Sequence, residues 1–88
     1  MNTTVANLKT EPYDILIARP SKWGNPFIVS EKCPRKLALA KYEVHIRRRP
    51  ELIAALPELI GKRLGCHCKP LPCHGDILIR LLKEFELE

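Results

Sequence analysis

Proline decides where this chain can continue a helix or a strand. Eight prolines are spread over 88 residues. Each fixes its own φ, removes a backbone donor and pushes the preceding residue out of helical conformation. Pro20 closes the apolar run Tyr13 to Ala18, which reads as a buried strand. Arg19 to Phe27 contains Pro20, Gly24, Asn25 and Pro26 and must be a loop. Pro34 suits the first turn of a helix predicted to run to about Arg48, and Pro50 stops it. Pro50-Glu51-Leu52-Ile53 is echoed by Pro57-Glu58-Leu59-Ile60. The pair predicts one helix kinked at Pro57, with Gly61 as its cap. The echo is too short for a repeat architecture. Pro70 and Pro72 make residues 69–72 a second loop.

The segments between prolines carry their own periodicities. Residues 1–12 are polar and read as irregular apart from a short strand near Val5. Lys62 to Cys68 reads as a strand, with Leu64, Cys66 and Cys68 on one face and Gly65 and His67 on the other. Ile77, Leu78, Leu81, Leu82 and Phe85 form one stripe of a final helix from about His74 to Phe85. The middle helix has two apolar groups, Ala38, Leu39, Tyr42 and Ile46, and Leu37, Ala40 and Val44, which predicts cover on more than one side. The expected fold is a single small α/β domain over residues 1–88. A short, largely parallel sheet is joined by crossover helices and followed by a C-terminal helix. Ligands bind at the C-terminal edge of such sheets. The loop with Arg19, Ser21, Lys22, Trp23 and Asn25 is then expected to face residues 66–76 across a crevice.

A chain of this length buries a modest core, which favours a staple such as a metal or a partner. Hydrophobic residues make up 45% and charged residues 28%, so disorder is not expected. The net charge of +5 includes the run Arg47, Arg48 and Arg49, with Lys32, Arg35, Lys36 and Lys41 nearby. Such a face attracts polyanions, although cations also suit a helix C-terminus. Two Phe, two Tyr and one Trp provide no ladder for stacking bases. No apolar run approaches the roughly 20 residues that span a membrane. No export signal is read in Met-Asn-Thr-Thr-Val, and the expected location is the cytoplasm. Clustered cysteines there point to metal ligands or reactive thiols.

The chemistry centres on Cys66-His67-Cys68 and Cys73-His74-Gly75-Asp76. As a metal site, Cys66, Cys68, Cys73 and His74 offer the three thiolates and one imidazole that zinc takes. The spacing lacks paired C-x-x-C knuckles, and adjacent Cys73 and His74 are expected to point apart. As a thiol or anion site, Cys73 precedes a helix whose N–H groups lower a thiol pKa and attract anions. His74 then serves as acid or base, Asp76 orients it or caps the helix, and Gly75 admits a ligand close to the backbone. A purely structural role ranks behind both readings, which stand level. Trp23 and Phe27 suit pinning of the first loop to the core; Asn25 is a turn residue or a ligand contact. His45 is assigned no role.

Two long motifs, Arg19-Pro-Ser-Lys-Trp-Gly-Asn-Pro-Phe27 and Gly61-Lys62-x-Leu64-x-Cys66-x-Cys68-x-Pro70-x-x-Cys73-His74-Gly75-Asp76, resemble a small domain family of unknown function from phage and bacterial genomes. The resemblance runs from about Tyr13 to Leu82. The residue before the second cysteine of that strand is often aromatic in the family; here it is His67. The segment also resembles a second α/β family with Cys-His-Arg at the same helix start and fewer cysteines. By analogy this favours a helix-N-terminus site over an obligatory zinc knuckle.

The leading expectation is therefore a ligand-binding or enzyme-like domain for a nucleotide, nucleic acid or other phosphate-bearing partner. Cys73, His74 and Asp76 form its centre, and Arg19, Lys22, Trp23, Asn25 and Gly75 contact the ligand. The alternative is a zinc-stabilised module that binds nucleic acid or a host protein through Arg47 to Arg49.

Overall fold

A computed structural model describes residues 2–88. The elements in chain order are strand β1 (Thr4–Asn7), strand β2 (Ile15–Leu16), helix α1 (Arg35–Arg47), helix α2 (Pro50–Ala55), a 3-10 turn (Leu56–Leu59), strand β3 (Arg63–Cys66) and helix α3 (His74–Glu84). β3 lies between β1 and β2, and both pairings are parallel. Thr4 to Asn7 register with Arg63 to Cys66, while Ile15 and Leu16 register with Leu64 and Gly65. The chain between β2 and β3 supplies the crossover, α1 and α2, as a parallel pair requires. The α/β fold is as the sequence predicts, and the sheet is parallel throughout.

One local expectation is met and two change. The short strand expected near Val5 is β1, an edge strand of four residues. Its local signal is weak because β1 is stabilised by β3 hydrogen bonds from far along the chain. Tyr13 to Ala18 contributes only Ile15 and Leu16 to the ladder, both partly exposed. Beyond Leu16 the chain dives inward: Ile17 is fully buried while Tyr13 remains exposed. β3 ends at Cys66, short of the expected Cys68.

α1 departs from expectation in its packing. Ala38, Tyr42 and Ile46 are buried, but Leu37 and Val44 lie on an open face at 42% and 47% exposure. That side is turned away from the core that Tyr42 and Ile46 join. The kink at Pro57 appears as α2 giving way to the 3-10 turn, and Gly61 adopts φ 70° just beyond it. A positive φ is readily available to glycine, which has no Cβ to clash.

The core joins Val5, Ile17, Leu64 and Cys66 of the sheet to Tyr42, Ile46, Leu56, Leu59, Leu78, Leu81 and Leu82. Trp23 pins the first loop into it: its ring is buried, its Nε1–H donates to Glu58 Oε1 (3.0 Å), and its carbonyl accepts from the Tyr42 hydroxyl (2.6 Å). No helix among the described residues is long and apolar enough to cross a membrane.

Candidate thiol and imidazole site

The C-terminal ends of β2 and β3 open onto the same sheet edge, and the start of α3 returns to it. Cys66 is the last residue of β3, and Cys73 is the N-cap of α3. Both thiols and the His74 ring are buried, and one donor atom from each lies within 4.8 Å of the others. The adjacency of Cys73 and His74 does not separate them, contrary to the sequence expectation. Cys73 has extended backbone at the N-cap (φ −142°, ψ 172°) while His74 is already helical, so their side chains converge.

Each group is held by its surroundings. The Cys73 Sγ accepts the Gly75 N–H (3.3 Å), and Asp76 Oδ2 accepts the Cys73 N–H (3.1 Å), forming a capping box. His74 Nε2 lies 2.6 Å from the Ile17 carbonyl. A carbonyl only accepts, so Nε2 carries the hydrogen and Nδ1 keeps its lone pair for a proton or a metal. The Tyr42 ring packs edge-on to the imidazole at 5.0 Å. The two thiols lie close together. The neighbouring Cys73 and burial push the Cys66 thiol up to about 12, opposed by the His74 ring. Cys66, helped by N–H groups of α3 and opposed by burial, holds Cys73 below its ordinary value. The two sulfurs titrate as a coupled pair.

These groups form the floor of a pocket of about 290 Å3. The opposite wall comes from the first loop and the start of α1, with Arg19, Asn25, Phe27 and Arg35. The crevice expected from topology therefore exists. Arg35 also donates from Nη1 to the Pro72 carbonyl (3.1 Å), tying α1 to the loop before α3. Sequence reasoning placed Arg35 only in a basic patch; its position beside the thiols depends on how α1 docks.

The other sequence candidates separate. Lys22 and Trp23 lie outside the pocket, with Lys22 Nζ 2.9 Å from Glu58 and Trp23 in the core. Asn25 lines it, but its Oδ1 accepts the Phe27 N–H (2.9 Å) and its Nδ2 donates to Ala38 O (3.3 Å). Asp76 faces a separate depression near Thr3 and Lys69, engaged in the capping box. A Cβ on Gly75 stands 2.8 Å from Val5 Cγ2 and 3.0 Å from Ile17 Cδ1, so this glycine lets α3 approach the sheet. Cys68 lines the pocket but lies outside the three-donor group, because the strand alternation that would align it with Cys66 has ended. His67 lines the pocket and is exposed. Arg47 is turned away from its basic neighbours and pairs with Glu43 and Glu84.

Residues 2–84 match the family model described as Domain of unknown function (DUF4326). The chain belongs to the DUF4326 family. All the strands and helices, and both walls of the pocket, fall within that DUF4326 match. The chain is also similar to a protein of Enterobacteria phage T4 described as an uncharacterized 12.4 kDa protein in the nrdA-td intergenic region. The two are 37% identical over 82 residues, covering 89% of this chain and 75% of the phage protein. No solved structure matches.

Proposed function

We propose that this protein is a ligand-binding, enzyme-like domain that takes a phosphate-bearing ligand, a nucleotide or nucleic acid, in the pocket above Cys66, Cys73 and His74. The observation that carries this reading is the convergence of the paired thiols and the imidazole with Arg19 and Arg35 around one cavity. Guanidinium groups form charge-assisted, bidentate bonds to phosphate. At the floor, Cys73 is the sulfur held toward its thiolate, and His74 offers Nδ1 for a proton. The cavity is close to the lower bound of small-molecule sites, roughly 300–1,000 Å3. Calorimetric titration with nucleoside monophosphates tests this reading. Arg19→Ala is expected to weaken binding about tenfold, since a hydrogen bond to a charged group contributes about 1.5–3 kcal/mol. Absence of binding to any nucleotide, or equal affinity in Arg19→Ala, overturns it.

The same three donors support a second reading, a zinc site. Two sulfurs and an imidazole nitrogen suit zinc, and a three-residue set leaves a fourth position open to a ligand. The Ile17 carbonyl orients His74 as outer partners of metal-bound imidazoles do. A closed site made with Cys68 requires residues 67–69 to move, whereas an open site uses the side chains where they stand. Elemental analysis of protein purified without added zinc tests for the metal. Near-stoichiometric metal supports the zinc site, and its absence under reducing conditions removes it.

A further inference from the structure

The outward face of α1 carries a groove that the pocket reading does not use. Its floor is Ala40, Val44 and the Phe27 ring; Lys41, Arg48 and the Arg49–Glu51 pair lie along its sides, and its volume is about 820 Å3. Arg49 is engaged: its Nε donates to His45 Nδ1 (3.3 Å), and its Nη1 lies 3.6 Å from Glu51. Burial and Arg49 hold His45 below its ordinary value, which disfavours its charged form. Lys41 and Arg48 differ. Among the described residues neither has a carboxylate partner, and the Lys41 ammonium sits 5.6 Å from the Phe27 ring centroid. Phe27 also lines the pocket above Cys66, Cys73 and His74, so the two depressions adjoin at that ring.

We propose that this groove binds single-stranded nucleic acid. Backbone phosphates lie along Lys41 and Arg48, bases rest on Phe27, Ala40 and Val44, and a terminal phosphate-bearing nucleotide enters the pocket. The inference rests on the pocket reading and narrows it: the ligand is a strand and not a free nucleotide. An apolar floor between unpaired cations matches a polymer with flat apolar faces and an anionic backbone. A duplex hides those faces in its stack. A second copy of this chain brings a net charge of +5 against +5. An acidic peptide satisfies Lys41 and Arg48 but carries no phosphate for Arg19 and Arg35.

The test is fluorescence anisotropy with 5′-phosphorylated oligothymidylates of about two, four and eight nucleotides, the longer two within the site sizes of single-strand binders. Calorimetry with thymidine 5′-monophosphate runs beside it. Affinity is expected to rise about tenfold or more from the monophosphate to the longest strand at roughly 0.1 M salt. The double variant Lys41→Ala/Arg48→Ala alters exposed side chains only, and its fold is checked by thermal melt. It is expected to remove that gain, lower the slope of log K against log salt by about 1.4, and leave monophosphate binding unchanged. No gain with length, or an unchanged slope in the variant, overturns the groove while leaving the pocket reading intact. An oligoglutamate or a duplex that competes as well as the single strand also overturns it. Strand binding that depends on Lys41 and Arg48 without any monophosphate binding keeps the groove but overturns the pocket reading, and with it the placing of a terminal nucleotide in the pocket. Failure of both ligands overturns both.

Discussion

At Gly65 the backbone of β3 runs directly beneath the ring of Tyr13. A Cβ there stands 2.7 Å from Tyr13 Cγ and Cδ2, closer than carbon atoms pack. Residues 8–14 return across this face of the sheet, so glycine is the residue that lets the return pass. Gly65→Ala is expected to cost about 1–3 kcal/mol, the range for overpacking. The midpoint of urea unfolding measures it. Tyr13→Ala in the same chain is expected to relieve most of that loss, giving a coupling that additive effects do not produce. The thiols provide a second test at this scale. Cys33 and Cys68 are partly exposed, whereas Cys66 and Cys73 are 1% and 2% exposed. The position of Cys73 at a helix start suggests a fast thiol, but burial withholds it from bulky reagents. A fluorescein maleimide is expected to label Cys33 and Cys68 in the folded protein, with Cys66 and Cys73 protected until unfolding. Peptide mass spectrometry after timed quenching reads the order, and equal rates at Cys73 and Cys68 contradict it.

Among the elements, the shortest is clamped at its start. β2 contributes two residues to the sheet, and Asp14 fixes where they start. Its Oδ2 accepts from the Arg63 backbone N–H (2.8 Å) and from Arg63 Nε (3.1 Å), while its own N–H donates to the Arg63 carbonyl (2.8 Å). Arg63 thereby lowers the Asp14 carboxyl to about 2 from an ordinary 3.8. A carboxyl depressed on folding stabilises the fold when ionised. Its contribution is complete above the unfolded value and is lost as pH falls from about 4 toward 2. Asp14→Asn is expected to be less stable than the parent near neutral pH, with the gap closing over that interval. Urea melts of both proteins from pH 6 to 2 test the sign; a gap that widens on acidification refutes it. Proline placement made most elements legible: the ends of α1 and α2, the turn at Pro57 and the loop before α3 follow from local backbone limits. β1 was legible only as a short strand near Val5; its extent over Thr4, Val5, Ala6 and Asn7 is made by its partner. The open side of α1 was misread for a related reason. Periodicity shows that Leu37 and Val44 share a face but not whether anything covers it.

For the whole molecule, the question is how a chain of 88 residues stays folded and what its charge is for. The core is small, so a ligand that binds only the native state has a large effect on stability. Under the zinc reading, zinc at about a hundredfold over its dissociation constant adds about 2.7 kcal/mol. That raises the melting temperature by about 10–20 °C in a domain of this size. The rise is expected to vanish in Cys66→Ser and His74→Ala and to persist in Cys68→Ser. Differential scanning fluorimetry with and without zinc reads each variant against itself, so a lower starting stability does not obscure the result. A rise that disappears in Cys68→Ser points instead to a closed site. The basic excess also divides by position: Arg47 is spent on ion pairs with Glu43 and Glu84, while Lys41 and Arg48 remain on the open face.

Local backbone chemistry in the sequence determined the α/β order, the two loops that meet at the sheet edge and the helix start at Cys73. Prolines, glycines and periodicity act over a few residues, and those features depend on nothing longer. Only the tertiary structure decided which side chains share the site. The helical turn brings His74 beside Cys73, the end of β3 leaves Cys68 outside, the Ile17 carbonyl selects the free nitrogen of His74, and the docking of α1 delivers Arg35. Each depends on contacts between segments far apart in the chain, where packing and not local preference sets the geometry.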